Sequence, residues 1–250
     1  MEHSSKIGLF IPCYIDQFYP QVGIATLELL EKLGLNVHYP MEQTCCGQPL
    51  ANSGAEQKAK KTYLNFVRNF HSFDYVVSPS GSCVYHVRKH YDILEQTGEV
   101  KKVRQSTFEL CGFLTDILKV EDLEASFPKK VGLHQSCHGL RGLKLGTPSE
   151  LIAERNSKVL QLLCKVKDIE LVDLDREDEC CGFGGTFSVF EPDVSVKMGK
   201  ERIADHEING AEVITATDMS CLMHLEGIIR RQKKNIRVMH IAEILNSNNL

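Results

Sequence analysis

The sequence predicts an α/β protein of two similar lobes, and three observations support this prediction. Short apolar segments typical of buried parallel strands alternate with longer segments whose apolar residues have helical spacing. The same order of segments occurs twice along the 250 residues. Cysteines follow corresponding strands in both halves, 124 residues apart at the first pair (137 − 13) and 138 at the last (221 − 83). Repeats of this length indicate a duplicated domain.

Strands that alternate with helices imply a mostly parallel sheet covered by helices on both faces. We therefore expect two duplicated Rossmann-like lobes, related by a pseudo-twofold axis. The stretch 121–130 is charged and contains a proline, which is typical of a connection between domains. The predicted lobes are accordingly residues 1–125 and 126–250.

The first half contains three predicted strands. Each is a short apolar segment that ends at a proline, a glycine or a polar loop. The predicted strands are 7–11, 36–39 and 74–78, and the predicted helices are 21–33, 55–70, one that begins at 84, and two further stretches within 91–120.

The second half repeats this order and adds a last strand. The predicted strands are 130–134, 170–174, 211–215 and 236–239, and the predicted helices are 150–166, 193–208, one after Cys221 and a short one at the end of the chain.

The composition is that of an ordinary globular protein, with 42% hydrophobic and 25% charged residues. A net charge of −4 gives no indication of nucleic-acid binding. The sequence has neither a signal-peptide pattern nor an apolar stretch of membrane-spanning length, so we expect a cytoplasmic protein without direct membrane insertion. In a reducing compartment, ten cysteines indicate metal binding or catalysis rather than disulfides.

Eight of the ten cysteines form two matching sets. Each set contains an adjacent pair, which cannot easily close a disulfide on itself, followed by a glycine that permits a tight turn. Ligands of open parallel sheets bind beyond the carboxyl ends of strands, where all of these cysteines are expected to converge. The first quartet is Cys13, Cys45, Cys46 and Cys83, and the second quartet is Cys137, Cys180, Cys181 and Cys221.

Four thiolates suit either an iron–sulfur cluster or tetrahedral zinc. Ligands from three separate strand ends favour a cluster, because structural zinc usually draws on closely spaced cysteine pairs. We expect one [4Fe–4S]-type cluster in each lobe, with zinc in one lobe as the alternative. Cys111 and Cys164 lie outside the quartets in apolar helical contexts and are expected to be buried core residues.

The residues around the quartets resemble the cysteine-rich CCG domain family, and the resemblance covers essentially the whole chain. That family includes the B subunit of heterodisulfide reductase and the iron–sulfur subunits of glycolate and glycerol-3-phosphate oxidising systems. The matching segments are Cys45-Cys46-Gly47, Ser80-Gly81-Ser82-Cys83, the stretch 180–189 that begins Cys180-Cys181-Gly182, and Asp218-Met219-Ser220-Cys221.

The resemblance implies an electron-transfer subunit of a cytoplasmic complex that oxidises L-lactate to pyruvate, without a complete active site of its own. Its partners would be sister subunits, one of them ferredoxin-like, and electrons would pass towards the respiratory chain. Two alternatives stay open. One is a thiol/disulfide redox enzyme like heterodisulfide reductase, and the other is a zinc-stabilised scaffold subunit.

One departure from the family pattern affects the expected metal centre. The family motif ends in CxxC, whereas the first cysteine of that pair is replaced by Ser80 in one half and Asp218 in the other. Four thiolates favour a conventional cluster over the noncubane double cluster that five can support. The two residues could supply an oxygen ligand or hydrogen-bond to cluster sulfurs and loop amides.

Four histidines lie near the cysteines. His86 and His224 each follow the last cysteine of a quartet by three residues, which places each about one helical turn from that cysteine. They are candidate ligands or proton relays, and the alternative is that they are ordinary helix-surface residues. His134 and His138 flank Cys137, and one of them is a candidate neighbour of the second cluster. No residue is placed as a base over a substrate.

Overall fold

The computed structural model describes residues 5–247, and the chain divides between Lys119 and Val120 into two compact units. Within the described residues, each unit contains a four-stranded sheet in which all neighbouring strands are parallel. The α/β class and the duplicated lobes are therefore confirmed. The boundary predicted between residues 125 and 126 lies a few residues further along the chain and stays a prediction.

The sheet of the first unit has the strand order β2-β1-β3-β4. Its strands are β1 (Lys6–Leu9), β2 (Asn36–His38), β3 (Tyr75–Ser78) and β4 (Thr107–Glu109). Its helices are α1 (Cys13–Phe18), α2 (Pro20–Lys32), α3 (Gln48–Asn52), α4 (Glu56–Phe70), α5 (Gly81–His90), α6 (Gly98–Ser106) and α7 (Leu110–Gly112), with a 3₁₀ turn at Tyr91–Ile93 and a π-helical turn at Phe113–Leu118.

The second unit repeats this topology with the order β6-β5-β7-β8. Its strands are β5 (Lys130–Leu133), β6 (Glu170–Val172), β7 (Val213–Ala216) and β8 (Arg237–His240). Its helices are α8 (Lys158–Leu163), α9 (Phe187–Phe190), α10 (Pro192–Ile208), α11 (Met219–Gln232) and α12 (Ile241–Leu245), with a π-helical turn at His138–Gly142. No helix of residues 5–247 has the length and apolarity that crossing a membrane requires.

The strand order places a topological switch point beside the first strand of each unit. In the first unit, β1 pairs with β2 on one side and with β3 on the other, and β5 has the same position in the second unit. Connections that leave a parallel sheet to opposite sides open a crevice at the carboxyl ends of the strands. This crevice is where the loops after β1, β2 and β3, and after β5, β6 and β7, come together.

The strand β4 is missing from the sequence-based prediction, which assigned only helix between 91 and 120. The strand pairs in parallel with β3, with Val77 opposite Phe108. It is three residues long and includes Thr107 and Glu109, which are polar yet buried. Thr107 and Phe108 favour strands, but a segment of three residues is too short to reveal a strand by its own pattern.

The predicted helix 150–166 is also wrong at its beginning. Helix α8 begins at Lys158, because the Ser157 side chain accepts a hydrogen bond from the Leu160 amide at 3.2 Å and caps the helix there. Ile152, which the prediction placed on the apolar face, is fully exposed.

The close packing of β5 against α10 allows a test of the fold. A Cβ on Gly132 would overlap with Nδ1 of His206, which is fully buried. We expect Gly132→Ala to lower the unfolding free energy by about 1–3 kcal/mol in urea titrations. His206→Ala in the same chain should remove part of that loss, because it removes the overlapping ring. Gly98→Ala, with nothing within 4 Å of the new Cβ, is the control. Equal losses in Gly132→Ala and Gly98→Ala would contradict this packing.

The same histidine predicts a loss of stability in acid. Burial, with the nearby Arg202 and His134, lowers the pKa of His206 to about 2. Below about pH 6.5 the His206 imidazole binds a proton in the unfolded chain but not in the folded chain. The contribution of neutral His206 to the stability of the fold is therefore present above pH 6.5 and is lost as the pH falls towards 2. Between pH 7 and pH 4.5, we expect the unfolding free energy of His206→Leu to fall by roughly 2–3 kcal/mol less than that of the wild type. Ile203→Val should lower stability without changing this pH dependence, since it removes no titrating group.

Candidate metal centres

The structure brings the four cysteines of the first quartet together. Cys13 begins α1 just after β1, the adjacent pair follows β2, and Cys83 lies in the first turn of α5 after β3. The sulfurs of Cys46 and Cys83 are 3.3 Å apart. The thiol of Cys45 hydrogen-bonds with those of Cys13 and Cys46, so the four sulfurs form one continuous group.

The second quartet has the same arrangement. Cys137 follows β5, the adjacent pair follows β6, and Cys221 lies in the first turn of α11 after β7. The thiol of Cys180 hydrogen-bonds with those of Cys137 and Cys181, and Cys181 with that of Cys221. All ten cysteines are free thiols. The sulfurs of each quartet therefore form a series of pairwise contacts, and their role as metal ligands stays a prediction.

The turn after each adjacent cysteine pair is the same in both units. Gly47 has φ 88° and Gly182 has φ 87°, a left-handed conformation that side chains rarely adopt. The amide N–H of each glycine donates to the sulfur two residues earlier, Cys45 or Cys180, at 3.3 Å in both cases. The Cys-Cys-Gly motif thus needs glycine to fold back and hold the first sulfur of the pair.

Hydrogen bonds from neighbouring thiols favour one thiolate in each quartet. Hydrogen bonds from the Cys13 and Cys46 thiols are the largest cause, and they lower the pKa of Cys45 to about 3. Burial opposes this shift, and the hydrogen bond from the Gly47 amide adds to it. The pKa of Cys180 falls to about 2 for the corresponding reasons. The donating thiols have raised pKa values, since they give up a hydrogen bond on ionisation. A metal cation would supply the positive charge that releases these remaining protons.

Each quartet has a buried side and a side that reaches solvent. In the first unit Cys46 and Cys83 are buried, Cys45 is half-buried and Cys13 is exposed. In the second unit Cys181 is buried and the other three cysteines are half-buried. A group held by either quartet would therefore lie close to the protein surface.

The first quartet rests on aromatic side chains. The Tyr91 hydroxyl donates to the Cys46 carbonyl at 3.0 Å, and the Tyr63 ring stacks on Tyr91 at 4.3 Å between centroids. His86 Nε2 lies 2.9 Å from the Tyr63 hydroxyl, and this histidine is only 1% exposed. The interpretation of His86 as a helix-surface residue is thus wrong, because its side chain belongs to this buried aromatic group.

The second quartet has polar neighbours instead. The Ser195 hydroxyl donates to the Gly182 carbonyl at 2.7 Å, and the half-buried His224 has Nε2 3.2 Å from the Ser195 carbonyl. Burial, and the nearby Arg202 cation, lower the pKa of His134 to about 4, so that imidazole is neutral. His134 Nδ1 is buried and has no hydrogen-bond partner.

Three donors of the second unit lie close enough to share a metal ion. In the part of the chain that the structure describes, one set of three potential ligand side chains has all its donor atoms within 4.8 Å of one another. The set consists of His134, Cys181 and Cys221. The sequence shows only that His134 lies near Cys137. Its closeness to Cys181 and Cys221 results from the pairing of the strands in the sheet.

The residues at the altered CxxC positions form hydrogen bonds at helix starts. Ser80 caps α5 by accepting from the Cys83 amide at 3.3 Å, and its hydroxyl lies 3.0 Å from that of Tyr14. Asp218 precedes α11 and accepts from the Ser220 hydroxyl at 2.9 Å. Both side chains are buried. The hydrogen-bonding interpretation therefore fits better than that of an oxygen ligand.

The two cysteines outside the quartets differ. Cys111 is fully buried, as expected for a core residue. Cys164 is exposed, so the expectation that it is buried is wrong. It directly follows the short helix α8, whose buried residues are Val159, Leu162 and Leu163.

The chemistry of both quartets fits a soft metal centre. Thiolate sulfur binds zinc or iron–sulfur iron in preference to hard cations. Zinc–sulfur bonds of about 2.3 Å keep two thiolates just under 4 Å apart, so the 3.3 Å contact of Cys46 and Cys83 would open only slightly. A cluster would need a wider opening, since its ligands bind different iron atoms. The fold and the quartets together define a two-lobed, cysteine-rich α/β protein with two candidate sites for a soft metal.

Comparison with known proteins gives the family. The model described as CCG, cysteine-rich domain, matches residues 7–88 and 131–226, one match in each unit. The chain belongs to this CCG family.

Similar curated proteins extend over nearly the whole chain. The lactate utilization protein A of Geobacillus kaustophilus is 44% identical over 98% of this chain and 100% of that protein. The protein of the same name from Bacillus subtilis is 42% identical over 97% of this chain and 99% of its own length. Among solved structures, a putative Asp/Glu racemase from Yersinia pestis covers 97% of this chain and 96% of that chain at 13% identity, with a TM-score of 0.37.

The Cys-Cys-Gly turn can be tested with a pair of glycines. A Cβ on Gly182 would lie 2.6 Å from the Ser195 carbonyl oxygen, whereas one on Gly210 would meet nothing within 4 Å. Both glycines have positive φ, so alanine at either position costs about 1–2 kcal/mol of backbone strain. Only Gly182→Ala should also displace the turn and reduce the metal bound per chain, measured by mass spectrometry of the metals. Equal metal content in the two variants would contradict this role of Gly182.

Proposed function

We propose that this chain is an iron–sulfur electron-transfer subunit of a complex that oxidises L-lactate to pyruvate. The main support is the presence of two complete cysteine quartets, each reaching the surface, in a chain 44% identical to a protein named lactate utilization protein A. The name supports the pathway, and the quartets support the electron-transfer role within it.

The stoichiometry of lactate oxidation agrees with two redox centres. Oxidation of L-lactate to pyruvate releases two electrons and two protons. A [4Fe–4S]-type cluster in each quartet would supply one-electron chemistry, so one chain could accept both electrons. The surface-facing cysteines, such as Cys13 and Cys180, lie where electrons could enter or leave.

The protein around each quartet would tune such a centre through its amides. The N–H groups of Gly47 and Gly182 donate to Cys45 and Cys180, and hydrogen bonds to thiolate sulfur raise the reduction potential. Helices α5 and α11 place Cys83 and Cys221 in their first turns, where the positive end of the dipole stabilises negative charge. These features assist electron acceptance without placing a base over a substrate.

Lactate itself would bind to partner subunits in this scheme. We propose sister subunits in a cytoplasmic complex, one of them ferredoxin-like, that pass electrons on towards the respiratory chain. The alternative of a heterodisulfide-reductase-like enzyme needs a fifth thiolate in a quartet. The side chains at those positions, Ser80 and Asp218, already form hydrogen bonds at helix starts.

Serine variants in each quartet test this proposal. Protein purified without oxygen should contain iron and inorganic sulfide and absorb visible light. Cys46→Ser and Cys181→Ser should each lose about half of the iron, because each removes one ligand of one cluster. Cys164→Ser, an exposed cysteine outside the quartets, should keep all of it. L-lactate should bleach the absorbance of the complex captured through this chain.

The alternative of a zinc-stabilised scaffold subunit predicts zinc instead of iron and no bleaching by L-lactate. Zinc in place of iron in both quartets, with no bleaching by L-lactate, would refute the electron-transfer role. Iron that persists unchanged in both quartet variants would show that other residues hold it. Circular dichroism of each variant separates loss of a ligand from loss of folding.

A further inference from the structure

The residue three positions before the first cysteine of each quartet has the same backbone position in both units. Phe10 directly follows β1, and its amide donates to the Val77 carbonyl of β3 at 2.9 Å. His134 directly follows β5, and its amide donates to the Thr215 carbonyl of β7 at 2.7 Å. The duplicated scaffold thus presents phenylalanine in one unit and histidine in the other at equivalent points beside the quartets.

The phenylalanine serves the hydrophobic core. Phe10 is fully buried and packs edge-on against Phe66, with 4.8 Å between ring centroids, and against Phe70 at 5.8 Å. Phe10 has no atom that could bind a metal, so this position adds no ligand to the cysteines of the first quartet.

The histidine has a different environment. His134 is 1% exposed, and Nδ1 has no hydrogen-bond partner. One of its ring nitrogens lies within 4.8 Å of the sulfurs of Cys181 and Cys221, which are themselves within 4.8 Å of each other. A buried nitrogen left without a partner costs about 1–3 kcal/mol, and His134 differs from the equally buried His206 in having two cysteine sulfurs beside its ring. A metal ion between the three side chains would bind the ring nitrogen that lies near the two sulfurs.

We propose that His134 is a direct nitrogen ligand of the metal centre in the second unit, together with Cys181 and Cys221. The two centres then differ in chemistry, with sulfur ligands in the first unit and mixed sulfur and nitrogen ligands in the second. Imidazole and thiolate together bind structural zinc, and they also bind iron in clusters where histidine replaces cysteine. This inference rests on the proposed metal-binding role of the second quartet.

The experiment uses the full chain with Cys46→Ser, so that the remaining metal reports on the second quartet. If that metal is iron, pulsed EPR of the reduced protein should show the strong ¹⁴N coupling of a bound imidazole. If it is zinc, X-ray absorption should show one nitrogen among sulfur ligands. His134→Phe, which copies the first unit, should lose the nitrogen signal and weaken metal binding at least tenfold. His138→Asn, on the other side of Cys137, should keep both.

A second variant covers the case in which His134→Phe does not fold. His134→Cys supplies a soft donor at the same place and should retain the metal while losing the nitrogen signal. Metal in the second quartet without a bound nitrogen, or a nitrogen signal that survives in His134→Cys, overturns the assignment of His134. Absence of metal from the second quartet of the wild type overturns both this assignment and the proposed redox role of that quartet. The outcomes therefore distinguish the two proposals.

Discussion

The left-handed glycine after each adjacent cysteine pair is the constraint on which both quartets depend. A positive φ at Gly47 or Gly182 turns the chain back, so that its amide bonds the first sulfur of the pair while the second sulfur is buried beneath. The following helices pack directly against these glycines: a Cβ would lie 2.5 Å from the Tyr63 ring in one unit and 2.6 Å from the Ser195 carbonyl in the other. The turn is thus fixed by its backbone and by its neighbours.

The parallel sheet supplies the remaining cysteines without any further motif. Since β1 and β5 lie between two partners, the loops after three strands meet at one edge. Cysteines more than thirty residues apart, such as Cys46 and Cys83, thereby come into contact at 3.3 Å. The ends of β3 and β7 continue into the helix starts of α5 and α11, which favour negative charge on nearby sulfur, and at α5 Ser80 also caps the Cys83 amide. Fold and site are therefore specified by the same loops.

Much of this arrangement could be predicted from the sequence because its signals are local or repeated. The apolar strands and the recurring Cys-Cys-Gly motif define the two lobes and the membership of each quartet. The strand β4 could not be found by its own pattern, since Thr107-Phe108-Glu109 is only three residues long and contains a single apolar side chain, whereas its counterpart β8 is predicted. The burial of His86 depends on contact with Tyr63, twenty-three residues earlier, and no local pattern reports such a contact.

Duplication allows the two quartets to share a backbone and differ in their surroundings. The backbone turn, the strand order and the first helical turn are the same in both units, so one backbone arrangement places the cysteine-bearing loops in each. The supporting side chains are free to differ, and they do: Tyr63 and Tyr91 lie beneath the first quartet, whereas Ser195 and His224 lie beside the second. An aromatic, apolar surrounding disfavours added charge on a reduced centre, and polar donors favour it. The two quartets should therefore differ in reduction potential even if they bind the same metal.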